Sequence, residues 1–300
     1  MRIIITGATS MIGAALARQC LSRGHEVLAL AREGTPRIDR LPVCGGLRVE
    51  WADLRTLDNV RGDGKPYDVC FHLAWGGTGK AERDDPTSQE KNIRSTLDAV
   101  NMARRLGCRS FIGAGSQAEY GPVEGVISAD TPVDPQSAYG MAKLAAGMLS
   151  RKLCTQLGMK HIWARIFSVY GPNDNDGTML NYAIDQFLRG QTAKFSAAVQ
   201  MWNYLHEEDA GAMFCLLGEL DVEPGIYCIA NPESAVLRTY IETLRDVFGG
   251  DARCEFAPPV PGTAGLNVDM KKTLDAIGYT PRVSFREGIA DVIDRRRERL

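Results

Sequence analysis

Charge of one sign is missing from this chain: 35 Lys and Arg stand against 37 Asp and Glu in 300 residues, with no long run of either. A chain so balanced carries no footprint for nucleic acid or an anionic membrane surface, so neither is an expected partner. Long apolar runs are missing as well. No stretch reaches the ~20 residues a membrane helix needs, and Met1-Arg2-Ile3-Ile4-Ile5 leads straight into a strand pattern without the apolar core of a signal peptide. A cytoplasmic protein is expected. The eight cysteines, at 20, 44, 70, 108, 154, 215, 228 and 254, are scattered singly, with no Cys-x-x-Cys and no histidine at ligand spacing. They read as reduced, mostly buried thiols, and no metal is expected. What remains is an ordinary globular balance, 44% hydrophobic, enough for one large core or two fused ones. Arg295-Arg296-Arg297 reads as a solvated helix end favoured by the helix dipole.

The chain opens on Ile3-Ile4-Ile5-Thr6, an unbroken β-branched run such as a strand buried on both faces carries. Gly7-Ala8-Thr9-Ser10-Met11-Ile12-Gly13 follows, and Ala14 to Arg23 then reads as a helix ended by Gly24. Strand, glycine-bounded turn and helix in this order form the site where a pyrophosphate rests on helix N-terminal amides. Gly7 serves the tight turn and Gly13 the close helix packing, with Thr9, Ser10, Met11 and Ile12 between them. A second strand, Glu26 to Ala31, ends at Arg32. An acidic residue there suits a free ribose, whereas arginine suits a ribose 2′-phosphate, so Arg32, with Arg37 assisting, predicts NADPH/NADP in preference to NAD. Glu33 is within reach of a ribose as well. A third strand, Leu47 to Ala52, leads to Asp53-Leu54, where Asp53 either bonds the adenine amino group or caps the following segment.

Tyr67 to Ala74 reads as the fourth strand, and its end, Leu73-Ala74-Trp75-Gly76-Gly77, lies where a parallel sheet presents residues to ligand. Trp75 either walls the substrate site or packs, and His72 reads as a structural strand-end residue. Gln89 to Leu106 is a long amphipathic helix with Asn92 near its start, and Ser110 to Ser116 is a fifth strand ending on a hydroxyl. A sixth strand, Ile162 to Phe167, precedes Ser168, after which the alternation of strand and helix weakens. The fold class expected is α/β, a Rossmann-type doubly wound parallel sheet with a smaller C-terminal substrate-binding lobe. Residues 1–170, with a return segment near 203–230, form the dinucleotide-binding domain, and 171–202 and 231–300 the lobe.

Tyr139-Gly140-Met141-Ala142-Lys143 places a phenol and an ammonium one turn apart on a single helix face. Asp134-Pro135-Gln136-Ser137 before it predicts a helix that starts near Ser137. A cation about 4 Å from the phenol, at an effective dielectric of about 20, contributes about 4 kcal/mol, or roughly three pKa units. Tyr139 would then approach the range of a general acid or base. Ser116 stands at the sheet edge where it can meet Tyr139 on one oxygen.

These residues together resemble the extended short-chain dehydrogenase/reductase family of nucleotide-sugar epimerases, dehydratases and reductases, over nearly the whole chain. Gly7-x-x-Ser10-x-x-Gly13 is similar to the family's Gly-x-x-Gly-x-x-Gly, with Ser10 in place of the middle glycine. Asp53-Leu54, His72-Leu73-Ala74, Asn92, Ser116, Tyr139-x-x-x-Lys143 and Val169-Tyr170-Gly171-Pro172 look like its successive stations, and Trp202 to Asp209 is similar to a further one. The resemblance implies that Tyr139 exchanges a proton with the substrate, Lys143 holds the nicotinamide ribose and lowers the tyrosine pKa, and Ser116 bonds the reacting oxygen. It also implies a cofactor contact at Phe167 and substrate contacts at Trp75, Gln117, Glu119, Ser168 and Trp202. Dehydratases of the group carry an Asp-Glu pair after the serine, where this chain has Gln117 and Ala118, so elimination of water is not expected. The Ala74-Trp75-Gly76 turn and Trp202-Asn203-Tyr204 look like those of 4-keto-sugar reductases. The expected function is therefore NADPH-dependent reduction of the 4-keto group of a nucleotide-activated 4-keto-6-deoxyhexose. The alternatives are an NAD-dependent nucleotide-sugar 4-epimerase and a non-catalytic dinucleotide sensor. A homodimer through the helices holding Asn92 and Tyr139 is also implied.

Overall fold

Alternation along the first strand divides the molecule into layers. In β1 (Arg2–Thr6), Ile3 and Ile5 point into one core and Ile4 into another, all three fully buried. The computed structural model describes residues 1–79, 81–260 and 265–299. It sets β1 inside a sheet of seven parallel strands with β2 (Glu26–Ala31), β3 (Leu47–Trp51), β4 (Val69–His72), β5 (Ser110–Ser116), β6 (Lys160–Ile166) and β7 (Gly225–Ile229). Their order across the sheet is β7-β6-β5-β4-β1-β2-β3. The chain winds outward from β1 to β3, then crosses back to β4 and winds the other way, so the switch point falls between β1 and β4. The glycine turn after β1 and residues 73–77 after β4 flank that crevice.

Helix α1 (Met11–Ser22) starts three residues before the expected Ala14, because Ser10 caps it, its Oγ accepting Gly13 N–H at 3.1 Å. α1 and α5 (Glu207–Glu219) pack on the Ile3/Ile5 face, whereas α2 (Pro86–Arg105) and α3 (Ala138–Gln156) pack together on the opposite face. β4 is shorter than the expected 67–74. Tyr67 N–H turns to Leu106 O, and Ala74 N–H leaves the ladder for Thr6 Oγ1 at 3.2 Å.

A third core, beyond the sheet, gathers α4 (Met179–Leu188), α6 (Leu237–Phe248) and α8 (Phe285–Arg297) around Tyr170, Tyr204, Tyr240 and Phe285. These rings pack at centroid distances of 4.8 to 5.6 Å. A short parallel pairing of 168–170 with 204–206 ties this core to the sheet. α7 (Lys271–Ile277) lies against β7. Among the described residues no helix is long and apolar enough to cross a membrane.

Candidate active site

The glycine turn is built for close approach. Gly7 holds φ +68°, and a Cβ there would meet Ala74 N at 2.7 Å, while a Cβ on Gly13 would run into Gly7 O. No side chain fits at either place, so the turn lies directly against 73–74 and opens α1's first amides toward the crevice. That arrangement fits the pyrophosphate of a dinucleotide. Thr9, Ser10, Met11 and Ile12 lie partly exposed along the turn. Arg40, which sequence reasoning did not single out, reaches from the β2–β3 connection and donates from Nη1 to Thr9 O at 3.4 Å. No carboxylate pairs with it among the described residues, and burial holds its guanidinium below the usual value.

Ser116, Tyr139 and Lys143 converge at the carboxyl edge of the sheet. Ser137 caps α3 by accepting Gly140 N–H at 3.1 Å, which puts Tyr139 in the first turn as its spacing predicts. Tyr139 lies beside Ser116, whose hydroxyl draws the phenol pKa down. Lys143, buried, donates to Ala114 O at 2.6 Å and lies 3.7 Å from the centre of the Trp75 ring. Here the electrostatics correct the expectation. Burial raises the Tyr139 pKa, opposed by the Ser116 hydroxyl and by Arg83, rather than the lysine bringing it down. Lys143 stands 5.8 Å from the ring centre of Tyr139, and burial lowers its own pKa to about 7 while the Glu119 carboxylate opposes that fall. Two groups drawn out of water in one place each lose charge, a cost that helical spacing alone does not show.

Other expected contacts divide. Trp75 is half-buried, edge-on to Tyr139 at 6.0 Å, and its Nε1 donates to Gln89 Oε1 at 2.9 Å. Leu73 and Ala74 line the crevice against β1, their amides bonded to Thr6 O and Thr6 Oγ1. Gln117 keeps a buried Oε1 without a hydrogen-bond partner, an acceptor left over in the site. Ser168 lies in the strand paired with 204–206, and Trp202 is half-buried beside Tyr204 at 6.5 Å. Glu119 does not reach out to substrate. It is fully buried and bonded to Ser116 N, Trp163 Nε1 and Arg165 Nε. Phe167 is likewise a core side chain, 6.1 Å from the Tyr120 ring. Asp53 turns to Arg55, accepting from its backbone N and Nε, and that pairing keeps the carboxyl below its usual range. Leu54 packs on the Ile4-side core. Arg32 is exposed, and Arg37 donates to Asn175 Oδ1 at 3.3 Å. His72 is structural, held between Thr6 and Thr96, and burial lowers its pKa to about 3.

Arg83 and Gln89 were not legible as site residues, and Asn92 was marked only through the family resemblance. Arg83 lies 4.2 Å above the Tyr139 ring, and its backbone carbonyl accepts Tyr139 N–H at 3.1 Å. Asn92 grips the Gly76 peptide from both sides, accepting its N–H at 2.8 Å and donating to its carbonyl at 3.0 Å. Gln89 donates to Gly77 O at 2.7 Å and Glu82 O at 3.0 Å. The spacing of Gln89, Asn92 and Thr96 on one helix face carried that signal. Nothing near Arg83 or Arg40 in sequence marked either one.

A doubly wound sheet with a glycine turn at its switch point and a Ser-Tyr-Lys cluster at its rim defines a short-chain dehydrogenase/reductase of the extended type. The chain belongs to the NAD dependent epimerase/dehydratase family, whose model matches residues 3–230. It is 28% identical to the UDP-glucose 4-epimerase of Mycolicibacterium smegmatis, with 98% of each chain covered. It is 24% identical to UDP-glucuronic acid decarboxylase 1 of Arabidopsis thaliana, over all of this chain and 71% of that one. Among solved structures, the UDP-glucuronic acid 4-epimerase from Bacillus cereus in complex with NAD superposes with a TM-score of 0.85 at 23% identity, covering 99% of this chain and 97% of that one.

Proposed function

We propose that this chain binds NAD at the Gly7–Gly13 turn and acts as a nucleotide-sugar 4-epimerase, in place of the NADPH-dependent ketoreductase that Arg32 suggests. The observation that carries the proposal is the convergence of Ser116, Tyr139 and Lys143 beside the switch-point crevice. Two features support the epimerase over its rivals. The relatives named above are epimerases and a decarboxylase of UDP-sugars, and Arg32 is one exposed cation while Arg40 sits over the turn itself. Gln117 and Ala118 supply no carboxylate for dehydration.

When bound, the nicotinamide supplies a hydride acceptor and donor. Tyr139 exchanges the proton of the sugar C4 oxygen, and Ser116 donates a hydrogen bond to that oxygen. In the free chain burial keeps the phenol protonated, the state that donates to a ketone. Taking a proton from a hydroxyl is the harder direction, and the Arg83 cation over the ring favours it. Lys143 orients the ribose. Gln117, Ser168, Trp202 and Trp75 bound the sugar nucleotide, a UDP-sugar, and residues 171–202 with 231–300 form the lobe over it. A second copy of the chain pairs through α2 and α3, the latter exposing Met141, Met148 and Leu149.

Incubation with UDP-glucose and with UDP-glucuronic acid, without added coenzyme, should yield their 4-epimers by chromatography, and NAD should be released on denaturation. Stoichiometric consumption of NADPH with a nucleotide 4-keto-6-deoxy sugar, and no epimer, would return the assignment to the reductase.

A further inference from the structure

Directly behind Ser116 the core holds two opposite charges. Glu119 and Arg165 are 0% and 2% exposed and meet at 2.8 Å. We propose that this pair is the device that sets Ser116 against Tyr139, with Glu119 a positioning residue for proton transfer; the proposal rests on Ser116 and Tyr139 being the reacting pair.

The bonding is directional at every atom. Glu119 Oε1 accepts the N–H of Ser116 at 2.8 Å and of Trp163 Nε1 at 2.9 Å, while Oε2 takes Arg165 Nε. Ser116 Oγ in turn accepts Ala118 N–H at 3.2 Å, closing a reciprocal cap on the short turn Gln117–Glu119. With its amide pinned from behind and its oxygen already accepting, the serine has its hydroxyl proton left to give toward Tyr139, whose helix packs on this turn. The same turn packs against α3, which carries Tyr139 and Lys143. Arg165 is braced in its turn, its guanidinium 4.4 Å over the Tyr120 ring.

The attraction between the two charges does not by itself account for the pair. Taking two ions out of water costs about as much as their attraction returns, and apolar residues of similar volume often replace such pairs without loss. A carboxylate in this place has a second effect, because its charge acts on both reacting side chains, favouring the protonated forms of Tyr139 and Lys143. The charged and titratable groups around it are Arg165 and His161 from β6, Tyr120 in its own turn, and Tyr139, Lys143 and Arg151 from α3.

The test uses the full chain with the double substitution Glu119→Leu/Arg165→Met and the single substitution Glu119→Gln. The double variant strands the Ser116 and Trp163 N–H groups and should melt roughly 2 to 8 °C below wild type yet stay folded, while kcat falls roughly 10²-fold and KM for the nucleotide sugar changes less than about threefold. Glu119→Gln, which keeps an acceptor for Ser116 N–H, should recover about a tenth or more of the wild-type kcat. Wild-type kcat in the folded double variant would overturn the proposal, since the pair would then be packing alone. An ultraviolet difference titration of Tyr139, referenced to Tyr139→Phe, needs no substrate and so separates this proposal from the epimerase assignment. Its midpoint should move down in Glu119→Gln, and an unmoved midpoint would overturn the proposal even where no nucleotide sugar is converted. Should the double variant fail to fold, the Gln variant decides by the same readouts.

Discussion

At the scale of single residues the site trades stability for reactivity, and Lys143 shows it most plainly. Its ammonium is buried, with one carbonyl and one aromatic face for company, and its pKa falls to about 7. The folded chain therefore binds fewer protons at this residue than the unfolded chain between about pH 7 and the ordinary lysine value near 10.4, and folding gains stability as pH rises through that window. Removing the amine should help most below it. Lys143→Met should raise Tm by about 2 to 4 °C near neutral pH, with the gain shrinking toward pH 10, and should abolish turnover. A thermal melt series against pH checks the first part and a turnover assay the second. Tyr139→Phe should likewise cost about 10² to 10⁴ in kcat while leaving the NAD dissociation constant within about twofold, by titration calorimetry. A variant that still turns over at the wild-type rate would remove the phenol from the chemistry. The sequence placed this tyrosine and lysine correctly in the first turns of α3, because the Ser137 cap and four-residue spacing are local signals. It misjudged their electrostatics, because burial is a property of the neighbours, here Trp75, Ala114 and Glu119.

At the scale of elements, α2 acts as a clamp. One polar stripe on its face, Gln89, Asn92 and Thr96, holds Trp75, both ends of the Gly76 peptide, Gly77, Glu82 and His72. Asn92→Ala would leave the Gly76 N–H and carbonyl without those partners. It should cost about 1 to 3 kcal/mol of stability in a denaturant titration and quicken proteolytic cleavage within residues 76–85. Unchanged cleavage would mean that the helix does not restrain this loop. Strand boundaries were legible wherever β-branched runs fill a strand buried on both faces, as in β1, and β2 and β5 start and end where the sequence puts them. They were least so at β4, where the two ends exchange ladder bonds for loop and side-chain partners. Glu119 was misplaced for a related reason. A carboxylate in a polar loop looks solvated until Trp163 and Arg165, over forty residues onward, are seen to close over it.

At the scale of the whole molecule, the sheet and its switch point follow from alternating strands and helices, whereas the third core was not legible in detail. Its aromatic rings come from four separate stretches, at Tyr170, Tyr204, Tyr240 and Phe285, and no local period links them. The seam between α1 and α5 joins that region to the glycine turn. Arg18 of α1 donates to Glu208 at 2.9 Å and to Glu207 at 3.2 Å, and Gln19 donates to Glu208 at 3.1 Å. Glu207 also accepts from Asn173 at 2.8 Å, just past the strand that carries Ser168. The helix that follows the glycine turn thus shares a carboxylate with the segment just past the strand that carries Ser168. Such a shared anchor should couple the two ends of the crevice, so that whichever ligand arrives first stiffens the floor on which the other must land. Arg18→Ala should cut that link, so that UDP binds with the same affinity whether NAD is present or not, while the wild-type chain shows a difference of about fivefold or more by calorimetry.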